Sequence, residues 1–256
     1  MGSSEHQMRL DAALRSVASL GEPVRRELYR YVVAQDEPVS REQAAAGVGV
    51  AHHVAKFHLD RLEDDRLLEV DYRRPAGRTG PGAGRPTKYY RRVTGEIAVS
   101  LPERRYDLAG RIMAEAITTA AQSGAPLPEA LHRAAVTNGT RLGQDATETA
   151  GPRPTQATVT GAICEVLDEN GYQPNASATC ITLTNCPFHS LVQDYPQLVC
   201  GINLDLVGGL LNALDETGWQ ANLDPAPGRC CVTITRTRPG SQKRASERPS
   251  ASRSVS

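Results

Sequence analysis

The stretch AHHVAKFHLDRLEDDRLLEVDYRRPAGRTGPGAGRPTKYYRRV, Ala51 to Val93, decides how the first part of the chain is read. Its opening places Val54, Phe57, Leu59 and Leu62 mainly on one face of a helix. It then runs through Asp64 and Asp65 into Leu67, Leu68 and Val70, a strand. After that come two strand-like runs separated by a loop of glycine, proline and arginine, which predicts a hairpin with a long positive tip. Between Tyr72 and Arg92 stand Arg73, Arg74, Arg78, Arg85, Lys88, Arg91 and Arg92 without a single acid. A surface of that kind suits a polyanion.

Working outward, Pro23 stands where a first helical turn tolerates it, and Val24, Leu28, Tyr31 and Val32 recur at helical spacing as far as about Gln35. Ser40 precedes Gln43 by three residues, the arrangement in which a hydroxyl and a side-chain amide satisfy the free amides of a helix start. Gly47 and Gly49 break that short helix. Residues 1–20 are expected to be a flexible N-terminus. Three helices followed by a basic hairpin is the order of a winged helix-turn-helix, spanning residues 21–98.

The stretch GRPTKYYRR, Gly84 to Arg92, resembles the wing of the ArsR-like and DeoR-like bacterial repressors. The resemblance implies that the helix from Ala51 enters a DNA major groove while the wing lies along phosphates. His52, His53, Lys56, Arg73, Arg74, Arg78, Arg85, Lys88 and Arg91 are then the candidate DNA contacts.

The chain has 256 residues, enough for two modest domains. Its formal net charge of zero hides a segregation. From Thr155 to Thr235 there are eight acids, Glu165, Asp168, Glu169, Asp194, Asp205, Asp215, Glu216 and Asp224, against Arg229 alone. That half is not built for nucleic acid. No apolar run approaches the ~20 residues of a membrane helix, and the first residues lack the apolar stretch of a secretory signal. The expectation is a soluble cytoplasmic protein with no membrane partner.

Residues 99–154 read as a helical linker. Tyr106, Leu108, Ile112, Met113 and Ile117 give an amphipathic stripe, followed by the polar GQDATETAGPRPTQ from Gly143 to Gln156. The family resemblance implies that this stripe pairs two subunits on a two-fold operator. A stripe facing a core within one chain would look the same. Residues 155–236 read as helix, strand, helix and strand, a small α+β domain, and residues 237–256, rich in Ser, Pro, Arg and Gly, as a disordered basic tail. The fold class is thus α+β: an N-terminal winged helix-turn-helix, a linking dimerisation helix, and a C-terminal cysteine-bearing sensor domain.

Six cysteines in a chain that is neither short nor secretory point to free, metal-bound or redox-active thiols. Cys164 lies on an apolar helix face and Cys180 in a strand beside Ile181, so both read as small core hydrophobes. Cys186 ends a strand before Pro187, and Cys200 stands near a helix start, where the dipole favours a thiolate. Cys230 opens the last strand, and alternation puts it on the face of Val232 and Ile234 with Cys231 turned away. The spacing alone is far from the compact pairs of zinc ribbons.

NCPFH, LVCGIN and GRCCV behind a winged helix resemble the SufR group, the iron-sulfur-dependent repressors of cluster-assembly operons. The resemblance implies that Cys186, Cys200 and Cys230 hold a [4Fe-4S] or [2Fe-2S] cluster. Cys231, His189, Cys180, a carboxylate or an external thiol would fill the fourth position. It also implies a homodimeric repressor on double-stranded operator DNA. The rivals are a winged-helix repressor that answers a small molecule without metal, and a zinc-binding regulator using thiolates and His189. No glycine-rich phosphate loop, nucleophile elbow or HExxH pattern is present, so an enzyme is not expected.

Overall fold

Separate apolar cores form on either side of Val99. The computed structural model describes residues 2–73, 86–150, 155–214 and 218–236, in one unit of Ser4–Val99 and another made of the residues from Ser100 on.

In the first unit, α1 (Gly2–Ser19), α2 (Pro23–Val33), α3 (Arg41–Val48) and α4 (His52–Asp64) accompany a three-stranded sheet of β1 (Val39–Ser40), β2 (Leu68–Arg73) and β3 (Thr87–Arg92). The strand order is β1-β3-β2, antiparallel throughout. Leu28 and Val32 of α2, Ala44 and Ala45 of α3, Ala55, Leu59 and Leu62 of α4, and Tyr90 of β3 make the core. Local chemistry fixes the helix ends. The Glu22 carboxylate accepts from the amides of Val24 and Arg25 ahead of α2, Ser40 and Gln43 form the predicted capping box, and Gly49 closes α3 at φ +75°.

Two expectations for this unit are corrected. Residues 2–19 are helical instead of a flexible terminus. The helix is docked through polar groups: the Ser16 hydroxyl donates to the Asp65 carbonyl at 2.7 Å, and Arg25 donates to the Ser19 hydroxyl at 2.9 Å. Phe57 is not a core residue but 65% exposed, because the buried stripe of α4 is Ala55, Leu59 and Leu62, on the opposite side of the helix. The tip of the basic hairpin, with Arg74, Arg78 and Arg85, lies outside the described residues.

The second unit contains α5 (Tyr106–Ser123), α6 (Leu127–Ala150), α7 (Gln156–Glu169), β4 (Pro174–Ala176), β5 (Cys180–Leu183), α8 (His189–Asp194), α9 (Pro196–Asn212), β6 (Trp219–Leu223) and β7 (Val232–Arg236). Its antiparallel sheet runs β4-β5-β7-β6. Helix α9 is buried on two sides. Val199, Ile202 and Leu206 join Leu108, Ile112 and Ala116 of α5 and Ala130, Ala134 and Ala135 of α6, while Val207, Leu210 and Leu211 pack with α7 and the sheet. The apolar stripe of α5 is therefore spent largely within this chain, although Tyr106 and Ile117 stay exposed.

The polar run from Gly143 does not begin a linker, since residues through Ala150 continue α6. Its start faces α9, and composition outside that contact misled the reading. Strands β4 and β6 add to the four elements expected from sequence, and β5 ends at Leu183, short of Pro187. The proposed tail, residues 237–256, lies outside the described residues.

Helices α6 and α9 approach to backbone contact at glycine. A Cβ on Gly139 would lie 1.9 Å from the Leu206 carbonyl oxygen, and one on Gly209 2.4 Å from that of Val136. Gly208 faces open space. Gly139→Ala should therefore destabilise the second unit by about 1 to 3 kcal/mol through overpacking. Gly208→Ala should stabilise it by about 0.5 to 1 kcal/mol by removing helical glycine entropy. Urea denaturation of the two variants beside the parent chain reads both signs.

Candidate functional site

Four of the six thiols meet. The chain reversal between β6 and β7 turns at Gly228 with φ +75°, and an Arg229–Asp224 ion pair of 2.6 Å closes it. It delivers Cys230 and Cys231 side by side ahead of Val232, where β7 begins. The Cys230 amide donates to the Leu183 carbonyl at 2.8 Å, which pins it to the end of β5. The Cys186 and Cys231 thiols both lie within interaction range of Cys230, and the Cys200 thiol within range of Cys231. The group thus runs Cys186, Cys230, Cys231, Cys200. Strand alternation does not separate the adjacent cysteines, because neither belongs to the strand.

Cys200 is the fifth residue of α9, in the helix's second turn instead of at its start. His189 is exposed on α8 with its Nε2 3.3 Å from the Gln193 amide nitrogen. Cys180 is half-buried in β5, and Cys164 is half-buried on α7. Burial, aided by Asp168, pushes the Cys164 thiol up, as a core reading requires.

Within the group, Cys230 is the thiol whose ionisation is favoured. Hydrogen bonds from Cys186 and then Cys231 hold the Cys230 thiol far below its ordinary value, down to about 3. The same bonds, with burial, push Cys186 and Cys231 up. Asn203 completes the setting. It is fully buried on α9, donates from Nδ2 to Cys230 Sγ at 3.2 Å, and accepts at Oδ1 from the Tyr172 hydroxyl at 2.6 Å. Burial keeps that tyrosine protonated. Four soft sulfur donors fit iron-sulfur ligation in chemical type. Among the described residues, no three His, Cys, Asp or Glu side chains are arranged to hold a single metal ion.

The Cys186 loop is also tied to the segment that opens the second unit. Asn185 Nδ2 donates to the Glu103 carbonyl at 3.0 Å, and Arg104 donates to the Cys186 carbonyl at 3.2 Å. The Arg105 amide donates to the Pro187 carbonyl at 3.0 Å, and the Tyr106 hydroxyl donates to Ser190 at 2.8 Å. Sequence reasoning missed Asn203, Tyr172, Asn185 and Arg104. The available signal was Asn203, a lone amide inside the apolar run of α9.

In the first unit, His53 and Lys56 are exposed on α4, and His52 is exposed with its Nε2 3.1 Å from Glu42. Arg73 pairs with Asp71 at 2.9 Å, and Arg91 pairs with Glu69 at 3.0 Å. Lys88 is turned inward with its side chain 17% exposed, bonded to Asp60 at 3.1 Å and to Glu63. It therefore holds β3 against α4 instead of standing free for a phosphate.

Asp60 is the hub of that contact. It accepts from the Tyr90 hydroxyl at 2.7 Å and from Arg41 at 2.6 Å, while Arg41 also donates to the Tyr90 oxygen at 2.8 Å. Partial burial works to raise the Asp60 carboxyl, but hydrogen bonds from Tyr90, Arg41 and Lys88 outweigh it and hold the group below the usual carboxylate range. A depressed carboxylate contributes stability that is present above its unfolded value, near 3.8, and is lost as the pH falls through the lower folded value. Asp60→Asn should cost about 2 kcal/mol at neutral pH. The gap from the parent chain should close on acidification below 3.8, as read by denaturation of both at a series of pH values.

Residues 20–71, from the end of α1 through α4 into β2, match the family described as a helix-turn-helix domain. No curated protein and no solved structure matches the chain. No helix among the described residues is long and apolar enough to cross a membrane. Residues 20–71 are thus a helix-turn-helix domain, and that domain supports a DNA-binding transcriptional regulator.

Proposed function

We propose that this regulator is a cytoplasmic, homodimeric, non-catalytic repressor whose grip on operator DNA is set by an iron-sulfur cluster on Cys186, Cys200, Cys230 and Cys231. One observation carries the reading: thiols from three separate segments of the second unit, Cys186, Cys200 and the Cys230–Cys231 pair, lie close enough to shift one another's ionisation, whereas Cys164 answers only to burial and Asp168. Adding Cys231 to the three expected ligands gives four thiols and removes the need for His189. When bound, such a cluster supplies a redox- and oxygen-sensitive centre with thiolate ligands. The likeness of NCPFH, LVCGIN and GRCCV to the SufR group points to cluster-assembly genes as the regulated set.

This chain's own residues supply the rest. Asn203 orients the Cys230 sulfur, and the Cys230 amide bond to Leu183 fixes its height over the sheet. The bonds from Arg104 and Arg105 to the carbonyls of Cys186 and Pro187 give the thiol loop a hold on the residues that follow Val99 in the chain. A shift in that loop need bias DNA binding by only about 1 to 3 kcal/mol to change affinity about 5- to 150-fold.

Anaerobic reconstitution with iron and sulfide, followed by visible absorption, metal and sulfide analysis and gel shift, tests the proposal. Changing Cys186, Cys200, Cys230 or Cys231 to serine should each reduce cluster content and alter DNA affinity, while Cys164→Ser and Cys180→Ser should retain both. Full cluster content in all four of the first set would remove the assignment. Colourless protein carrying stoichiometric zinc would replace it with the zinc-bound rival.

A further inference from the structure

We infer that Phe57 reads a thymine methyl group in the DNA major groove. The inference rests on the DNA-binding reading of the helix-turn-helix domain and names the base chemistry its second helix recognises.

Phe57 lies at the middle of α4, on the face opposite the buried Ala55, Leu59 and Leu62, and is 65% exposed. Its neighbours on that face are polar and of both charges. Exposed His53 and Lys56 stand four and one residues before it, and Arg61, half-exposed, stands four after. Together with Arg25 of α2 and the carboxylates of Asp60 and Asp64 they line one open depression around the ring. A single apolar side chain in water is ordinary. An exposed phenyl ring in a depression otherwise lined by charged and polar side chains, on the helix that the fold offers to DNA, is more specific.

The ring is also held in place. It meets the imidazole of His58 edge-on, with centroids 5.1 Å apart and planes at 74°. The His58 side chain is only 12% exposed, and its Nδ1 lies 3.4 Å from the Glu22 carboxylate that caps α2. The rotor is therefore braced by a residue that is itself fixed, which lowers the ordering cost of a contact.

The chemistry of the groove then selects the ligand. The second helix of a helix-turn-helix lies in the major groove, where base edges present hydrogen-bond donors and acceptors and, on thymine alone, a C5-methyl. Stacked bases hide their faces, so the methyl is the apolar partner open to a phenyl ring. The flanking cations serve neighbouring phosphates or guanine edges, and Phe57 sets the register of the thymine.

The test uses the full-length protein, isolated anaerobically and also after exposure to air, in a selection from random duplexes by the parent chain and by Phe57→Ala. Duplexes of the selected sequence are then made with deoxyuridine in place of each thymine, which removes only the methyl. The expected result is one thymine in each half-site where deoxyuridine weakens the parent chain about fourfold, the equivalent of one buried methyl. Phe57→Ala binds the thymine and deoxyuridine duplexes equally, and Phe57→Leu retains part of the preference. Thermal melting of Phe57→Ala should match the parent, since the side chain is exposed.

An enriched sequence whose thymine requirements are unchanged in Phe57→Ala would overturn the inference and leave DNA binding intact. Failure of the parent chain to enrich any duplex would overturn both. A Phe57→Ala chain that loses affinity for thymine and deoxyuridine duplexes while keeping the fourfold distinction would assign the ring to support of the helix and also overturn it.

Discussion

The second unit depends on how closely α6 and α9 lie. Gly139, Gly143 and Gly209 let the two backbones touch, and a side chain at Gly139 or Gly209 would strike main-chain atoms that cannot swing away. With that separation set, one side of α9 closes on α5 and α6 through Val199, Ile202 and Leu206, and the other closes on α7 and the sheet through Val207, Leu210 and Leu211. Cys200 and Asn203 are consequently carried to the start of β7, where the paired cysteines wait. Moving the helix outward would loosen both cores and withdraw a sulfur and an amide from the thiol group at once.

Asn203 shows why that arrangement is specific. A fully buried amide is costly unless both ends are satisfied. Here Tyr172 donates to its oxygen and the Cys230 sulfur accepts from its nitrogen. The pairing requires α9, the turn after α7 and the start of β7 to be in register together. A negative charge at Cys230 strengthens the nitrogen's bond, since hydrogen bonds to charged acceptors are the stronger kind. The chemistry of the thiol group and the packing of the fold are therefore stated by the same contacts.

The first unit uses a polar hub in a comparable way. Asp60 of α4 gathers Tyr90 and Lys88 from β3 and Arg41 from α3, so the base of the hairpin is fastened to the helix that carries His53, Lys56 and Phe57. Two of the wing cations counted from sequence are seen differently as a result: Lys88 fastens the strand, and Arg91 faces Glu69 across the sheet. Counting charges between Tyr72 and Arg92 could not reveal this, because Asp60, Glu63 and Glu69 lie earlier in the chain.

Helix starts, the order of three helices and a hairpin in the first unit, the cysteine inventory and the division of charge were legible along the chain, since capping, periodicity and composition are local properties. Sequence reasoning misread Phe57, because Ala55 fills the core position and an alanine gives a weak apolar signal. It also missed α1, although Leu10, Leu14 and Val17 recur there at helical spacing. The packing of the folded chain is what brings Cys230 and Cys231 near Cys186 and Cys200, with Asn203 and Tyr172 behind them. Those contacts join residues far apart in the chain, and their geometry comes from how α9 packs between two layers, which no short stretch encodes.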